Sequence, residues 1–181
     1  MIEEFKKCTF GEFLNLPESE RKEYERVGLL LKPDPWQVSN YMNWPYITVK
    51  DIQLTLSENH DYEAIINVIT ELTGQRKDKI IAKIWFDVFR FLKFVINSIN
   101  DVSELEKKLA YEPEADEERA GIEMFNEFGY FVTIDRLAGG DILKHDEVGK
   151  MPFSHVFAKL RLNQTDSIFM KNYQKIISSK K

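Results

Sequence analysis

The segment from Ile80 to Ile99 constrains the fold most, because its apolar residues recur every three or four positions. This spacing places them on one side of a helix with 3.6 residues per turn. Seven apolar side chains share that side: Ile80, Ile81, Ile84, Val88, Phe91, Leu92 and Val95. Phe86, Phe89 and Phe94 widen the apolar face, so the segment predicts one long amphipathic helix at the centre of an all-α protein.

Four phenylalanines of this segment cannot all face the same core. Phe86, Phe89, Phe91 and Phe94 spread over much of the helix circumference, because successive residues turn by about 100°. Some of these rings must therefore contact a second layer of helices or a binding partner. We take Phe86, Phe89 and Phe94, together with Trp85, as candidate partner-binding residues.

Local signals mark the ends of further helices. Thr9 and Glu12 have the spacing of a capping box, which predicts a short helix after Thr9. Pro17 suits the first position of a second helix. Helical spacing resumes after Thr48, and Gly74 follows an apolar helical pattern at the position where a left-handed residue ends a helix.

Between these helices, Lys32 to Pro45 predicts an ordered loop. Pro33 and Pro35 cannot continue a helix, because proline lacks the backbone N–H group and restricts the residue before it. Trp36 and Trp44 are large enough to pin the loop to the body of the protein. Both tryptophans are further candidates for contact with a partner.

The last third of the chain predicts a separate helical module. An acidic stretch from Asp101 to Arg119 is expected to be a linker or a solvated helix and loop. We expect a helix from Ala120 to Ala138, a turn at Gly139–Gly140, a helix capped by Asp146, and a helix that runs from Pro152 to about Ile177.

These elements predict a multi-helix globular bundle with an N-terminal Pro/Trp-containing loop and a C-terminal helical module. We divide it into residues 1–47 (N-terminal helices and loop), 48–110 (central module) and 111–181 (C-terminal module), packed as one compact unit. A chain of 181 residues can bury roughly 70% of its unfolded surface, so no metal or disulfide is needed for folding.

A weak sequence similarity links one segment of the central module with one segment of the C-terminal module. Gly74 precedes Lys83-Ile84-Trp85-Phe86, and Gly140 precedes Lys150-Met151-Pro152-Phe153. Both segments predict a turn, a short polar helix and then a helix entered through an apolar residue. An internal repeat and a coincidence between two amphipathic helices both explain the pattern.

The charge and the composition exclude several classes of protein. The net charge of −5 disfavours non-specific nucleic-acid binding, which needs a basic face. The single cysteine, Cys8, excludes an internal disulfide and fits a reducing compartment. The opening MIEEFKKC lacks the apolar core of a secretory signal, and no apolar run approaches the ~20 residues of a membrane span. We expect a cytoplasmic protein without membrane or nucleic-acid partners.

The glycines do not form a phosphate-binding loop. A P-loop places four residues between its first glycine and a Gly-Lys pair, and counting from Gly139 that position holds Lys144. The chain also lacks the G-x-G-x-x-G motif of dinucleotide-binding proteins. We therefore predict no bound cofactor.

The remaining polar residues do not predict catalysis or a metal site. His145, Asp146 and Glu147 are adjacent and point about 100° apart on a helix, so they cannot converge on one ion. Cys8 has no histidine partner in the sequence pattern, and no serine lies in a G-x-S-x-G elbow. We predict a protein without enzymatic activity. A small enzyme or nucleotide-binding regulator stays open as an alternative, and it would require His145 and His155 to meet acidic residues in one cleft.

Two segments resemble a group of viral proteins. Asp61-Tyr62-Glu63-Ala64-Ile65-Ile66, Leu72-Thr73-Gly74 and Ile84-Trp85-Phe86-Asp87-Val88-Phe89 with Leu92 are similar to a pattern in tail assembly chaperones and related small proteins of tailed phages. The second segment comprises Phe128-Gly129-Tyr130, Leu137-Ala138, Gly140-Asp141-Ile142, Asp146-Glu147-Val148 and Met151-Pro152. It resembles proteins from the structural gene clusters of phages that infect gut Bacteroidetes, as does the opening Phe10-Gly11-Glu12-Phe13.

The resemblance implies a helical, non-enzymatic factor of virion morphogenesis. Such a protein would bind viral structural proteins through apolar helical surfaces in the host cytoplasm, with possible homo-oligomers. Its alternative role is a structural component of the virion, in the neck, the portal region or the capsid cargo. The loop at residues 32–45 and the C-terminal module make this chain longer than the compact chaperones.

Overall fold

The computed structural model describes residues 7–58, 61–109 and 111–179. These residues form helices and connecting loops and contain no β-sheet, so the predicted all-α fold is confirmed. In chain order the α-helices are α1 (Phe10–Leu14), α2 (Glu18–Leu29), α3 (Tyr46–Glu58), α4 (Tyr62–Thr73), α5 (Lys77–Ile81), α6 (Trp85–Lys107), α7 (Ala115–Arg119), α8 (Phe131–Ala138), α9 (His145–Lys150) and α10 (Phe153–Ser178). Short 3₁₀ segments cover Tyr41–Asn43, Ile122–Phe128 and Ile142–Lys144.

The predicted helix ends at the start of the chain are confirmed. Thr9 Oγ1 accepts a hydrogen bond from the Glu12 N–H at 3.2 Å, and Glu12 Oε2 accepts one from the Thr9 N–H at 2.7 Å. These reciprocal bonds complete the capping box of α1. Pro17 directly precedes α2, and α4 ends at Gly74 with a left-handed φ of 65°.

The prediction of one continuous helix through Ile80 and Val95 is wrong. The short helix α5 ends at Ile81, and α6 begins at Trp85. Between them the Lys83 carbonyl accepts a hydrogen bond from the Phe10 N–H at 2.7 Å, and the Trp85 N–H donates to the Cys8 carbonyl at 3.0 Å. This isolated antiparallel bridge between Thr9 and Ile84 fixes an extended backbone that a helix cannot adopt.

The predicted helix from Ala120 to Ala138 is also interrupted. Residues Ile122–Phe128 form 3₁₀ turns, and α8 begins only at Phe131. Gly121 and Gly129 flank the 3₁₀ segment with φ angles of 83° and 52°, which are readily adopted by glycine. The acidic stretch is part helix, because α6 continues to Lys107 and α7 covers Ala115–Arg119.

The chain divides into two compact units. The first unit comprises Met1–Tyr41 and Asp51–Asp101, and the second comprises Met42–Lys50 and Val102–Lys181. Helices α3 and α6 each contribute residues to both units. The boundaries that we place at residues 47/48 and 110/111 stay predictions.

The core of the first unit is a cluster of aromatic rings. The Phe13 ring lies 5.3 Å from that of Phe89 and 6.3 Å from that of Trp85, measured between ring centroids. The Tyr24 ring lies 5.0 Å from Trp85 in an edge-to-face arrangement. Full burial of each such side chain stabilises the fold by ~1.5–3 kcal/mol, so this cluster ties α1, α2 and α6 together.

The core of the second unit is built around the start of α10. Phe153, Val156 and Phe157 are buried on one side of that helix. The Phe153 ring stacks near Tyr46 at 6.4 Å, and the Tyr46 hydroxyl bonds with Thr133. Gly149 of α9 lies against Ile47, because a Cβ atom at Gly149 would be in ordinary van der Waals contact with the Ile47 side chain, at 3.5 Å.

The internal sequence similarity has a counterpart in the order of the backbone elements of the two units. In each unit a helix ends at a left-handed glycine, Gly74 or Gly139, and short helical turns follow. An extended bridge residue comes next, Ile84 or Pro152, and a long helix starts immediately after it. The same order of elements in both units favours an internal repeat.

No helix within the described residues is both long and apolar enough to cross a lipid bilayer.

Replacement of Phe13 by alanine tests the aromatic core. Phe13 is fully buried, so Phe13→Ala leaves a cavity among the rings, and we expect the free energy of unfolding to fall by about 3–5 kcal/mol. The matched control is Phe128→Ala, where the ring is 55% exposed and a change within about 0.5 kcal/mol is expected. Urea denaturation followed by far-UV circular dichroism measures both; equal losses would contradict this description of the core.

Candidate functional site

A largely apolar groove lies between α2 and α6 in the first unit. Its volume is about 650 Å³, in the range of sites that accept another molecule. From α2 it is lined by Lys22, Glu25, Arg26, Gly28 and Leu29, and from α6 by Phe89, Leu92, Lys93, Ile96 and Asn97. We call this feature the α2–α6 groove.

The apolar floor of the groove is a single helical stripe of α6. Phe89, Leu92 and Ile96 follow one another at spacings of three and four residues, which places them on the same face. Leu29 lines the groove and is 73% exposed, and its neighbour Leu30 is 83% exposed. The end of α2 therefore presents apolar side chains to solvent beside the stripe.

Gly28 brings the two walls of the groove close together. A Cβ atom at this position would lie 2.5 Å from Cδ1 of Phe89, which is closer than van der Waals contact allows. The Phe89 ring occupies that space and also packs against Phe13 and Trp85. The absence of a side chain at Gly28 therefore sets the distance between α2 and α6 here.

Cations of α6 hold the end of α2 and the loop that follows. Lys93 Nζ donates a hydrogen bond to the Leu29 carbonyl at 2.5 Å, and Arg90 Nε donates one to the Lys32 carbonyl at 3.1 Å. Arg90 also pairs with Asp34 at 3.0 Å. The final carbonyls of a helix have no partner within it, so these cations stabilise the C-terminal end of α2.

The charges around the groove are mainly positive. Lys22, Arg26 and Lys93 contribute cations, and Glu25 contributes a carboxylate. That carboxylate accepts a hydrogen bond from the Tyr62 hydroxyl. Burial, and then the bond to Glu25, raise the pKa of Tyr62 well above its usual range.

The six candidate partner-binding residues lie in different places. Trp85 and Trp44 are core residues, with 0% and 3% of their surface exposed. Phe89 lies in the groove, whereas the half-buried Phe86 and Phe94 pack against neighbouring rings.

Trp36 closes the Pro/Trp loop onto α6. Its ring stacks on Phe91 at 4.3 Å, and Lys83 Nζ lies over the ring at 4.7 Å. The Trp36 backbone has a φ of 50°, which is costly for a bulky residue. The Trp36 N–H donates to Asp34 Oδ1 at 2.9 Å, so the stacked ring and this bond hold the strained residue in place.

The wall that α2 contributes was not predicted from the sequence. For this segment only a helix start at Pro17 was predicted, and the run Val27-Gly28-Leu29-Leu30-Leu31 at its end was given no role. A glycine within an apolar run that follows several charged turns was the available signal. That signal does not reveal which helix lies opposite, so the groove could not be located from it.

The described residues contain no group of three or more His, Cys, Asp or Glu side chains placed to hold a metal ion. His145 contacts Asp135 at 3.0 Å on the surface, and His60 lies outside the described residues.

The prediction that Asp146 caps a helix is wrong, because α9 already begins at His145. Burial raises the pKa of the Cys8 thiol, which keeps it protonated at neutral pH and weakly nucleophilic.

Substitution of Gly28 by alanine tests the close approach of the groove walls. The added methyl group must displace the packed Phe89 ring, so we expect the free energy of unfolding to fall by about 1–3 kcal/mol. Gly149→Ala is the matched control in another helix, where the new methyl group meets Ile47 at an ordinary 3.5 Å. There, stability should stay unchanged or rise by up to ~1 kcal/mol. An unchanged stability in Gly28→Ala would refute the close packing.

The Tyr62–Glu25 contact predicts a loss of stability in alkali. Folded Tyr62 keeps its proton where an unfolded tyrosine, with a pKa of 10.0, has lost it. Its stabilising contribution is therefore complete below that pKa and is lost as the pH rises above it. Urea denaturation across this range should show a shallower decline for Tyr62→Phe than for the wild type, with parallel behaviour below about pH 9. Identical declines in alkali would contradict the assignment.

Comparison with known proteins supplies no relative from which a site could be transferred. No protein-family model, no curated protein and no solved structure matches the chain.

Proposed function

We propose that this protein is a non-enzymatic binding factor of phage virion morphogenesis, similar to tail assembly chaperones. In this role it binds viral structural proteins through apolar helical surfaces. The proposal makes the α2–α6 groove the binding site and an amphipathic helix of a structural protein the segment bound there. The observation that carries it is an open apolar stripe next to the exposed Leu29 and Leu30.

The shape of the groove suits a helix. Helix-binding grooves accept apolar side chains spaced three, four and seven residues apart on the ligand, and the stripe formed by Phe89, Leu92 and Ile96 has that same spacing. A groove between two helices can therefore accept a third helix by ordinary side-chain packing. Transient cover of this kind shields an apolar segment from aggregation before assembly.

The charges at the groove favour a ligand helix with acidic flanks. Lys22, Arg26 and Lys93 outnumber Glu25 among the lining residues. Lys22 pairs with Glu18 at 2.7 Å, which leaves Arg26 and Lys93 as the cations that face a ligand. The net charge of the whole chain is −5, but exposed charges farther away than the Debye length of about 8 Å are largely screened. The cations at the groove therefore dominate at contact distance.

The viral identity of the partner rests on the sequence resemblance. The segments at residues 61–92 and 128–152 resemble tail assembly chaperones and structural-cluster proteins of tailed phages. Their matching residues mark helix ends and core positions, so the resemblance supports a helical assembly factor and assigns no individual contact.

A structural component of the virion is the second candidate function. It is favoured by the apolar surface outside the groove, including Phe169 and Tyr173 on α10, because permanent assemblies bury large apolar interfaces. Mass spectrometry of purified particles separates the two roles. A virion component is present at fixed stoichiometry, whereas a chaperone is absent.

Pairwise co-expression with the structural proteins encoded beside its gene tests the groove. The wild type should retain at least one of them in a pull-down. Ile96→Asp places a charge on the floor of the groove and should weaken that binding by at least about tenfold. The affinity is measured by titration of the purified pair.

The matched control is Leu54→Asp, on α3 and outside the groove. Leu54 is 44% exposed and Ile96 is 39% exposed, so both changes introduce the same charge at similarly accessible positions. Leu54→Asp should bind normally. Failure of the wild type to bind any neighbouring structural protein would overturn the proposal, and equal loss in both variants would remove the groove from it.

A further inference from the structure

The second half of α10 extends without a covering layer. The helix begins with the buried Phe153, Val156 and Phe157, but every residue from Thr165 to Ser179 is exposed. The packed first turns nucleate the helix, so the second half needs no nucleation of its own, but its apolar side chains stay in contact with water.

Apolar side chains of this half form a narrow stripe. Leu162, Phe169, Tyr173 and Ile176 lie within roughly 60° of one another around the helix axis at 100° per residue. Between 50% and 60% of each of these side chains is exposed. We call this set the α10 stripe. The seven-residue spacing from Leu162 to Phe169 and Ile176 is the repeat of a helix that packs along another helix.

The stripe faces away from the rest of its own unit. The contacts of α10 with residues 108–114 come from the opposite side: Gln164 Nε2 donates to the Lys108 carbonyl at 3.4 Å, and Lys171 pairs with Glu114. Gln164 and Lys171 lie roughly 140–180° around the helix from the stripe, on the side of the buried Phe153. The α10 stripe is therefore open to another molecule.

The exposed apolar area fits a dimer interface. Six large apolar residues on the side of the stripe are exposed by 43% or more: Leu162, Phe169, Met170, Tyr173, Ile176 and Ile177. Half-exposed side chains of this size present on the order of 100 Å² each, so this surface totals roughly 600 Å². The largest patch of a typical monomer is ~300–600 Å². Two such surfaces face to face would bury about 1,200 Å², at the lower end of the range of specific interfaces.

The charge pattern favours a second copy of the same helix. Lys171 and Lys175 lie on the far side of α10, and the border of the stripe at Thr165 and Asn172 is uncharged. The other border carries Lys159 and Asp166, which are one heptad apart and have opposite signs. Two antiparallel copies can therefore pair these charges with each other and avoid like-charge repulsion. An anionic lipid surface fits less well, because Asp166 would face the lipid and the two lysines would point away.

We propose that the α10 stripe pairs with the α10 stripe of a second copy, so that the two C-terminal helices form a short coiled coil and the protein is a homodimer. This surface is separate from the α2–α6 groove, and the dimer does not depend on the function proposed for that groove.

Sedimentation velocity of the full chain at increasing concentration tests the dimer. The wild type should change from 21.3 kDa to twice that mass in the micromolar range. Phe169→Asp places a charge in the stripe of both copies and should raise the dissociation constant at least ~100-fold. Leu162→Asp should act in the same direction and provides a second variant should Phe169→Asp lose helix content by circular dichroism.

Ile168→Asp is the matched control on the same helix. Ile168 is 55% exposed and Phe169 60%, but Ile168 points roughly 100° away from the stripe. Ile168→Asp and the groove variant Ile96→Asp should both remain dimeric. A wild type that stays monomeric up to about 100 µM, or equal weakening by Ile168→Asp and Phe169→Asp, would overturn the proposal. Binding of a monomeric wild type to phosphatidylserine vesicles would overturn it in favour of a lipid surface.

Discussion

Two short backbone bridges fix the starts of four helices of this protein, α1, α3, α6 and α10. In the first unit the N–H groups of Phe10 and Trp85 donate to the carbonyls of Lys83 and Cys8. In the second unit those of Tyr46 and Phe153 donate to Met151 and Trp44. The first N–H groups of a helix have no acceptor inside it, so each bridge satisfies two of them and fixes two helix starts side by side. Three of the largest fully buried side chains, Trp85, Phe10 and Phe153, stand at these starts.

The two long helices, α6 and α10, resemble each other in which of their residues are buried and which are accessible. Both α6 and α10 bury large residues in their first turns, beginning with Trp85 and Phe153. Another side of α6 lines the groove beside α2, although this helix keeps a buried side as far as Val102, whereas the later turns of α10 face solvent. One apolar side of each long helix is therefore available for contact with other molecules.

The chemistry of the exposed surfaces separates their proposed ligands. The α2–α6 groove combines an apolar floor with cations from both helices, which favours an acidic amphipathic segment of another protein. The α10 stripe has uncharged residues on one border and the oppositely charged Lys159 and Asp166 on the other, so it tolerates an identical helix.

Local sequence patterns determined the class of the fold and many of its helix ends. The capping box at Thr9, the left-handed Gly74 and the start after Pro152 depend on residues a few positions apart, and all three are confirmed. Only tertiary structure decided that the helix predicted through Ile80 and Val95 breaks before Trp85, because the partner of Ile84 is Thr9, far away in the chain. The same holds for the groove. Helical spacing identifies an apolar face of α6, but whether a ring on that face enters the core or meets solvent depends on the neighbouring helix, and at Phe89 on the missing side chain of Gly28.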